Sequence, residues 1–266
     1  MVKIKWHRSD SIGSTNSYLR ELNGGDPGFD FEVAAADFQT AGRGQQGNKW
    51  ESQAGKNLLF SILAHPANIK ASEQFLISEA IALAVLDSVT QVVEPGLAGD
   101  FSVKWPNDIY WKDYKIAGIL IENTLQGNLI LDSVVGVGLN VNQELFLSDA
   151  PNPMSLKNIT GQDFDRNRLL EDIVNRFIGY MEMVSDADTA SDADVSSGLG
   201  KESVERLYHS RLYRREGWHR FRDAAGCFEA RIEGVRTNGL LLLETRSGEQ
   251  RAYEFKQVQF ILPEKE

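Results

Sequence analysis

Residues 39–50 read QTAGRGQQGNKW, and no other stretch of the sequence places three glycines, two cations and an indole so close together. The glycines let the backbone adopt positive φ and approach a ligand closely. The arginine and lysine are charge-assisted donors, and the tryptophan offers a flat apolar face. The segment is therefore predicted to wrap an anionic ligand with a planar part. A surface hairpin with no ligand is the alternative on glycine content alone.

The glycine spacing also matches G-x-G-x-x-G, which binds dinucleotides when a strand precedes it and a helix follows it. Residues 31–38 predict a buried strand before the loop. Residues 57–65 (NLLFSILAH) alternate without a helical stripe and predict a second strand after it. The missing helix disfavours a nicotinamide-binding fold. A protein-kinase loop is disfavoured because no V-A-I-K, H-R-D or D-F-G follows.

Charge and composition limit the classes of partner. The chain of 266 residues has a net charge of -10, which argues against nucleic-acid binding because that normally needs a basic face. Residues 201–266 carry 13 Lys or Arg against 11 Asp or Glu, so residues 1–200 carry -12. The single cysteine, Cys227, excludes an intrachain disulfide and gives no sign of a zinc site.

No stretch of the sequence predicts export or insertion into a membrane. The first ten residues, MVKIKWHRSD, lack the apolar core of a signal peptide. The most apolar helical stretch, residues 75–89, is interrupted by Glu79 and Asp87. We therefore expect a cytoplasmic protein that does not associate with membranes.

A first polar cluster lies at residues 14–16, Ser-Thr-Asn, before a short apolar stripe that predicts a helix. At a helix N-terminus these side chains either cap the helix or hydrogen-bond a compact polar ligand. The sequence leaves both interpretations open.

Three further clusters follow predicted strands. Residues 104–108, KWPND, contain Asn107 and Asp108, which can reach magnesium or phosphate oxygens, although Pro-Asn-Asp is also ordinary turn chemistry. Lys115 opens an otherwise apolar strand, where it is either a solvated strand end or a contact for an anion. Residues 129–141 predict a buried strand whose glycines mark close backbone approach, with Asn140 at its end.

The hydrophobic pattern and the turn residues change along the chain and predict the domain organisation. Core helices are predicted from Ser72 to about Thr90 and after Asp165, and a polar Ser/Ala/Asp tract at residues 185–198 predicts a linker. A short helix at 202–215 precedes short strands separated by turn signals, which predict a small SH3-like barrel. The predicted division is a catalytic domain at 1–200, a connecting segment at 201–216 and a C-terminal domain at 217–266.

Five motifs in one order closely resemble those of the biotin protein ligase family: S-T-N at 14–16, Q-x-A-G-R-G-x-x-G at 39–47 with Trp50, K-W-P-N-D at 104–108, K-x-A-G-I-L-x-E at 115–122 and G-x-G-x-N at 136–140. The resemblance implies an α+β fold, with a mixed, largely antiparallel sheet and helices packed on it, of the class II synthetase-like kind. A small C-terminal SH3-like β-barrel is implied as well.

The resemblance implies a two-step reaction. The biotin carboxylate attacks the α-phosphate of ATP to give biotinyl-5′-AMP and pyrophosphate, and a lysine of a biotin carboxyl carrier protein then takes the biotinyl group. Biotin and ATP with magnesium are substrates, and no tightly bound prosthetic group is implied. The expected partner is the carrier domain of a biotin-dependent carboxylase. No nucleic acid or membrane is expected as a partner, and the chain is expected to be a monomer or a homodimer.

The same resemblance implies roles for particular residues. Arg43 and Lys115 are the predicted catalytic residues, because two anionic substrates need cations between them. Asn107 is a predicted magnesium ligand. The predicted biotin site comprises Ser14, Thr15, Asn16, Gln39, Gly42, Arg43, Gly44, Gln45, Lys115 and Gly118. The predicted ATP site comprises Arg43, Trp50, Lys104, Asn107 and Asn140.

Two features depart from the family pattern. Gln45 and Asn48 stand where relatives often carry arginine, which predicts weaker retention of the adenylate. No helix-turn-helix precedes residue 14, so DNA binding is not expected. Two alternatives stay open at this point, a lipoate-protein ligase-like acyl-adenylate enzyme and a non-catalytic small-molecule-binding module.

Overall fold

The computed structural model describes residues 2–22, 24–44, 50–147, 152–185 and 198–262. The helices are α1 (Thr15–Glu21), α2 (Phe75–Val92), α3 (Pro95–Ala98), α4 (Leu156–Thr160), α5 (Arg166–Ser185) and α6 (Gly198–Ser210). The strands are β1 (Ile4–Ile12), β2 (Phe31–Gln39), β3 (Leu58–Ala64), β4 (Phe101–Lys104), β5 (Asp108–Trp111), β6 (Tyr114–Gln126), β7 (Leu129–Leu139), β8 (His219–Asp223), β9 (Gly226–Val235), β10 (Leu241–Thr245), β11 (Gln250–Tyr253) and β12 (Gln259–Phe260).

The main sheet has seven strands in the order β1-β2-β3-β7-β6-β5-β4. Only the β1–β2 pair is parallel, and the other neighbours are antiparallel. This arrangement confirms the predicted mixed, largely antiparallel sheet. Every residue of β3 is buried, because this central strand is covered on both faces.

Three helices cover one face of this sheet. Helix α2 packs against α5 and α6 and is buried along nearly its whole length. The stretch Ala71–Val92 is long and apolar enough to cross a membrane, but 72% of its most apolar window is buried inside the protein. We interpret it as the core helix that the sequence predicts. Asp165 caps α5 as predicted, because its Oδ1 accepts hydrogen bonds from the backbone N–H groups of Asn167 and Arg168.

In the part of the chain that the structure describes, the short helix α1 is the helix that packs on the opposite face of the sheet. Leu19 of α1 is fully buried in a small cluster with Ala34, Leu63 and Val134. Because α1 spans only Thr15–Glu21, it covers part of β2, β3 and β7. Trp50 lies over the neighbouring part of this face, at Gly118 of β6 and Gly138 of β7.

A five-stranded antiparallel sheet, in the order β11-β10-β9-β8-β12, forms the C-terminal part and fits the predicted small barrel. The predicted helix at 202–215 is wrong at both ends, since α6 spans Gly198–Ser210. Residues 211–213 extend the edge of the main sheet instead. Val103 N donates to Arg211 O at 2.8 Å, and Tyr213 N donates to Val103 O at 2.8 Å. The predicted linker lies, apart from its two ends, outside the described residues.

Candidate active site

A cavity of about 570 Å³ lies beside α1 and over β6 and β7. We call Ser14, Thr15, Asn16 and Gln39 its α1 side, and Lys104, Asn107 and Asn140 its β5 side. The structure brings nearly all of the predicted site residues to this cavity. Those that line it are Ser14, Thr15, Asn16, Gln39, Arg43, Gly44, Trp50, Lys104, Asn107, Lys115, Gly118 and Asn140.

Two predicted site residues are not among the residues that line the cavity. Gly42 lies at the base of the glycine loop, where its carbonyl accepts a hydrogen bond from Trp50 N at 3.2 Å. Gln45 belongs to residues 45–49, which lie outside the described residues. The prediction that Gln45 weakens retention of an adenylate therefore stays a prediction.

The α1 side combines capping with a ligand-facing surface. Ser14 is the N-cap of α1, and its Oγ accepts a long hydrogen bond from Ser17 N at 3.5 Å. Gln39 Oε1 accepts from Thr15 N at 2.8 Å, which satisfies a free N–H of the first helical turn. Among the described residues, none accepts a hydrogen bond from Gln39 Nε2. The capping interpretation of the Ser-Thr-Asn cluster is therefore confirmed for Ser14, and the ligand-binding interpretation stays a prediction.

Asn16 is the most constrained residue on the α1 side. Its Nδ2 donates to Leu120 O at 3.2 Å and to Glu122 Oε2 at 3.0 Å. Its Oδ1 accepts from Ser61 Oγ at 2.5 Å. A Cβ on Gly136 would overlap the Asn16 amide, so this glycine is needed for the contact. Because both N–H groups are already donated, Asn16 orders the α1 side and retains only acceptor capacity for a ligand.

Trp50 lies over the middle of the cavity floor. A side chain at Gly118 or Gly138 would collide with the indole, which explains the glycines at this paired position of β6 and β7. Lys115 Nζ lies 5.7 Å from the indole ring centroid. Trp50 Nε1 is buried and has no hydrogen-bond partner among the described residues.

Lys115 projects into the cavity beside Asp108, a pairing that the sequence does not predict. Its Nζ lies 2.6 Å from Asp108 Oδ1. Asp108 reaches this position because β5 pairs with β6, which places it opposite Gly118. The carboxylate neutralises part of the Lys115 charge and fixes the ammonium in the cavity.

Lys104 is largely buried on the β5 side. Its Nζ donates to Tyr110 Oη at 3.1 Å and lies 4.7 Å from the same ring's centroid. Burial lowers the pKa of Lys104; the charge of Asp108 opposes this shift and that of Arg214 adds to it. A buried cation with one neutral hydrogen-bond partner is well suited to bind an anion that enters the cavity.

Two amides complete the β5 side. Asn107 Nδ2 donates to Ile119 O at 2.5 Å, and Asn140 Nδ2 donates to Met154 O at 3.2 Å. Asn140 Oδ1 is buried without a partner among the described residues. No group of three His, Cys, Asp or Glu side chains suited to a metal ion occurs in the described part of the chain. An ion here would therefore be held mainly by phosphate oxygens, with the Asn107 amide oxygen as an available protein ligand.

The C-terminal part also reaches the cavity. Phe255 lines it together with Trp105 and Pro106. Trp105 Nε1 donates to Gly239 O at 2.9 Å, and the ring centroids of Trp105 and Phe255 lie 6.4 Å apart. No pattern in the sequence indicates this contact, because Phe255 is one apolar residue in a stretch of short strands.

Comparison with known proteins places this geometry in a family. Residues 10–140 match the model of the biotin/lipoate A/B protein ligase family. A biotin–[acetyl-CoA-carboxylase] ligase from Paracoccus denitrificans is 30% identical over 254 residues, which cover 89% of this chain and 93% of that protein. The chain belongs to the biotin/lipoate A/B protein ligase family. The family assignment made from the five motifs is thus confirmed.

Two further comparisons agree with this assignment. The bifunctional ligase/repressor BirA from Bacillus spizizenii is 28% identical over 255 residues, which cover 92% of this chain and 70% of that protein. The structure of a biotin protein ligase from Aquifex aeolicus in complex with biotin and ATP has a TM-score of 0.72 at 23% identity. It covers 98% of this chain and 100% of that one, and at this identity the likeness concerns the fold.

Proposed function

We infer that this chain is a biotin protein ligase, which activates biotin with ATP and transfers the biotinyl group to a lysine of a biotin carboxyl carrier protein. The observation that carries this inference is the single cavity in which side chains from all five motifs meet. The relatives support it, since the Paracoccus denitrificans protein is named a biotin–[acetyl-CoA-carboxylase] ligase. The similar Aquifex aeolicus structure holds biotin and ATP.

We place biotin on the α1 side and ATP on the β5 side. The Ser14 hydroxyl and Gln39 Nε2 offer polar contacts to a compact ring. Trp50 Nε1 and Asn140 Oδ1, both buried without described partners, offer a donor and an acceptor to the nucleotide. The biotin carboxylate and the α-phosphate would then meet near Lys115, which lies between the two sides.

In the first step, a carboxylate oxygen of biotin attacks the α-phosphorus of ATP. The bond from this phosphorus to the oxygen bridging to the β-phosphate breaks, and pyrophosphate leaves with the electron pair. Arg43 and Lys115 offset the repulsion between the anions and stabilise the charge that develops on the phosphorus oxygens. Magnesium enters with ATP and screens its phosphates.

In the second step, the neutral amine of the carrier lysine attacks the carbonyl carbon of the mixed anhydride. An amide bond forms, AMP leaves as the phosphate anion, and the amine loses a proton. The substrate carboxylate and the incoming amine are the two nucleophiles. The chain therefore needs no serine or cysteine nucleophile of its own.

The remaining assignments belong to the same proposal. We divide the chain into a catalytic part at 1–200, a connecting segment at 201–216 and a C-terminal part at 217–266. We propose no nucleic-acid partner, because the catalytic part carries a charge of -12. A cytoplasmic location suits an enzyme that acts on a carrier protein of metabolism.

A biotin-dependent exchange of labelled pyrophosphate into ATP tests the proposed function. The natural protein is expected to catalyse the exchange with biotin and not with lipoate. Exchange with lipoate alone would favour a lipoate-protein ligase-like enzyme. Tight biotin binding without exchange would indicate a non-catalytic binding module.

A further inference from the structure

Glu122 on β6 joins the helix that carries the α1 side to the glycine loop. Its Oε1 accepts hydrogen bonds from Arg20 Nη1 at 2.7 Å and from Arg43 Nη1 at 3.4 Å. Its Oε2 accepts from Arg43 Nη2 at 2.8 Å and from Asn16 Nδ2 at 3.0 Å. Four donors thus occupy one carboxylate, which has about four acceptor positions.

The Glu122 side chain is 22% exposed and ionised at neutral pH. Burial alone would raise its pKa, but the hydrogen bond from Asn16 and the charges of Arg43 and Arg20 together hold the pKa below its usual range. Glu122 is not among the residues that line the cavity, whereas Arg43 and Asn16 are. A charged group behind the cavity therefore holds two residues that face it.

The contact with Arg43 has a defined geometry. Glu122 engages the two terminal nitrogens of the guanidinium, one with each carboxylate oxygen. This leaves Arg43 Nε–H and one N–H on each terminal nitrogen for a second anion. Arg43 can therefore bind Glu122 and a substrate anion at the same time.

We propose that Glu122 is a positioning residue that holds the Arg43 guanidinium in place for the anionic substrates. The proposal rests on the proposed function, which makes Arg43 a contact of the biotin carboxylate or the adenylate phosphate. An arginine held in place before binding loses less side-chain entropy when the ligand arrives. The same carboxylate fixes the Asn16 amide, so it ties the two parts of the biotin site together.

Glu122→Gln tests this role with little change of shape. The glutamine oxygen can still accept from Asn16, and Asn16 keeps its bonds to Leu120 O and Ser61 Oγ. The variant loses the charged carboxylate and its two-oxygen ion pair with the Arg43 guanidinium. We expect kcat/KM for biotin in the pyrophosphate exchange to fall roughly 10- to 100-fold, the scale of a small misplacement of a catalytic group.

Asp132→Asn is the matched control. Asp132 is a paired carboxylate on the neighbouring strand β7, and its partner His65 lies 2.7 Å away, with neither residue lining the cavity. Its variant should keep normal exchange. A second comparison places Glu122→Gln in an Arg43→Ala background, with adenylate formation followed in single turnover. If Glu122 acts through Arg43, adding Glu122→Gln to Arg43→Ala should lower the rate of adenylate formation by less than about twofold.

The outcomes separate the two claims. Normal exchange in Glu122→Gln, or an equal loss with and without Arg43, would overturn the positioning role and leave the proposed function intact. A natural protein without biotin-dependent exchange would contradict the proposed function, and the role of Glu122 would fall with it. A melting temperature of Glu122→Gln close to that of Asp132→Asn excludes loss of folding as the cause of a slow reaction.

Discussion

The two sides of the cavity differ in how their buried polar atoms are satisfied. On the α1 side, Ser61 Oγ lies 2.7 Å from Thr15 Oγ1 and 2.5 Å from Asn16 Oδ1, and Gln39 Oε1 accepts from Thr15 N. On the β5 side and above the floor, Asn140 Oδ1 and Trp50 Nε1 are buried without described partners. Since buried polar groups are normally hydrogen-bonded, the network around Asn16 is satisfied within the protein, whereas we expect a ligand to satisfy Asn140 Oδ1 and Trp50 Nε1.

This difference suggests that the α1 side contributes more to the stability of the fold and that the unsatisfied atoms contribute more to ligand binding. Substitutions on the α1 side should reduce the free energy of unfolding. Substitutions at the unsatisfied atoms should reduce ligand binding with little effect on folding.

Replacement of Lys115 by alanine should have the largest effect. Its ammonium lies between the two sides, where the substrates' negative charges would meet. Loss of one such preorganised donor slows reactions on the order of 10²- to 10³-fold, about 3–4 kcal/mol. Single-turnover formation of the adenylate measures this. Lys112→Ala is the control, because Lys112 is an exposed residue of the adjacent turn that pairs with Asp100 at 3.5 Å. An equal loss in both variants would contradict the role of Lys115.

Glu79 is a buried residue outside the cavity whose carboxyl oxygen also lacks a described partner, so it can be compared with the unpartnered atoms that we expect to bind a ligand. This residue of α2 is 1% exposed, and its Oε2 has no described partner. Burial, with a smaller contribution from the charge of Glu205, raises its pKa to about 8. The native state therefore keeps a proton that the unfolded state releases above its ordinary pKa of 4.5. We infer that burial keeps Glu79 uncharged at neutral pH, so an unpartnered oxygen outside the cavity need not indicate a ligand.

The sign of the pH dependence follows from this shift. The contribution of Glu79 to the free energy of unfolding should be greatest below pH 4.5 and should be lost as pH rises through about 8. Glu79→Gln should remove this contribution. Between pH 5 and pH 8, the free energy of unfolding of the variant should therefore rise relative to that of the natural protein by roughly 3 kcal/mol. Chemical denaturation at both pH values tests this, with the exposed Glu94→Gln as control. Parallel pH profiles of the natural protein and Glu79→Gln would show that Glu79 does not retain its proton.

Ser61→Ala should destabilise the protein, because it removes the hydroxyl that satisfies the Asn16 amide oxygen. An acceptor left buried without a partner costs about 1–3 kcal/mol. Ser133→Ala is a matched control, since Ser133 is equally buried on β7 and its hydroxyl has no described partner. The melting temperature should fall more for Ser61→Ala than for Ser133→Ala. Equal shifts would mean that the α1 network adds nothing to stability.

Asn140→Ala should have the smallest effect on folding. It loses the hydrogen bond to Met154 O but also removes an unsatisfied oxygen, so the net change should stay below about 1 kcal/mol. Binding of ATP should weaken, and the rise in melting temperature on adding MgATP should shrink. An unchanged rise would contradict a nucleotide contact at this residue.

The alternation of apolar and polar residues predicts the positions of the strands that flank the glycine loop. The strands around the glycine loop were predicted at 31–38 and 57–65, and they lie at Phe31–Gln39 and Leu58–Ala64. The alternation of Val2, Ile4 and Trp6 with charged neighbours predicts a strand over residues 2–8. Strand β1 instead extends to Ile12, because it pairs with β2 as far as Gln39. Alternation gives burial on one face, but it does not show how far a partner strand extends the pairing.

The site was predicted as a set of residues and not as a set of contacts. The motifs identified many of the residues that line the cavity, because each motif combines glycine, amide or cation at a strand or helix end. The contacts of Asn16 with Leu120 and Glu122 join residues more than 100 positions apart, and Phe255 reaches the cavity from the C-terminal sheet. Such contacts depend on strand order and on domain packing, which periodicity does not encode.

We propose that one cavity joins biotin to ATP. The most direct test is mass spectrometry of the whole reaction mixture, bound and released adenylate together, after incubation with MgATP and equal amounts of biotin and lipoate, with the Lys115→Ala variant in parallel. The natural protein should form biotinyl-5′-AMP and no lipoyl-5′-AMP, and the variant should form far less biotinyl-5′-AMP in the same time. A lipoyl adenylate, or no adenylate at all with the natural protein, would contradict the claim.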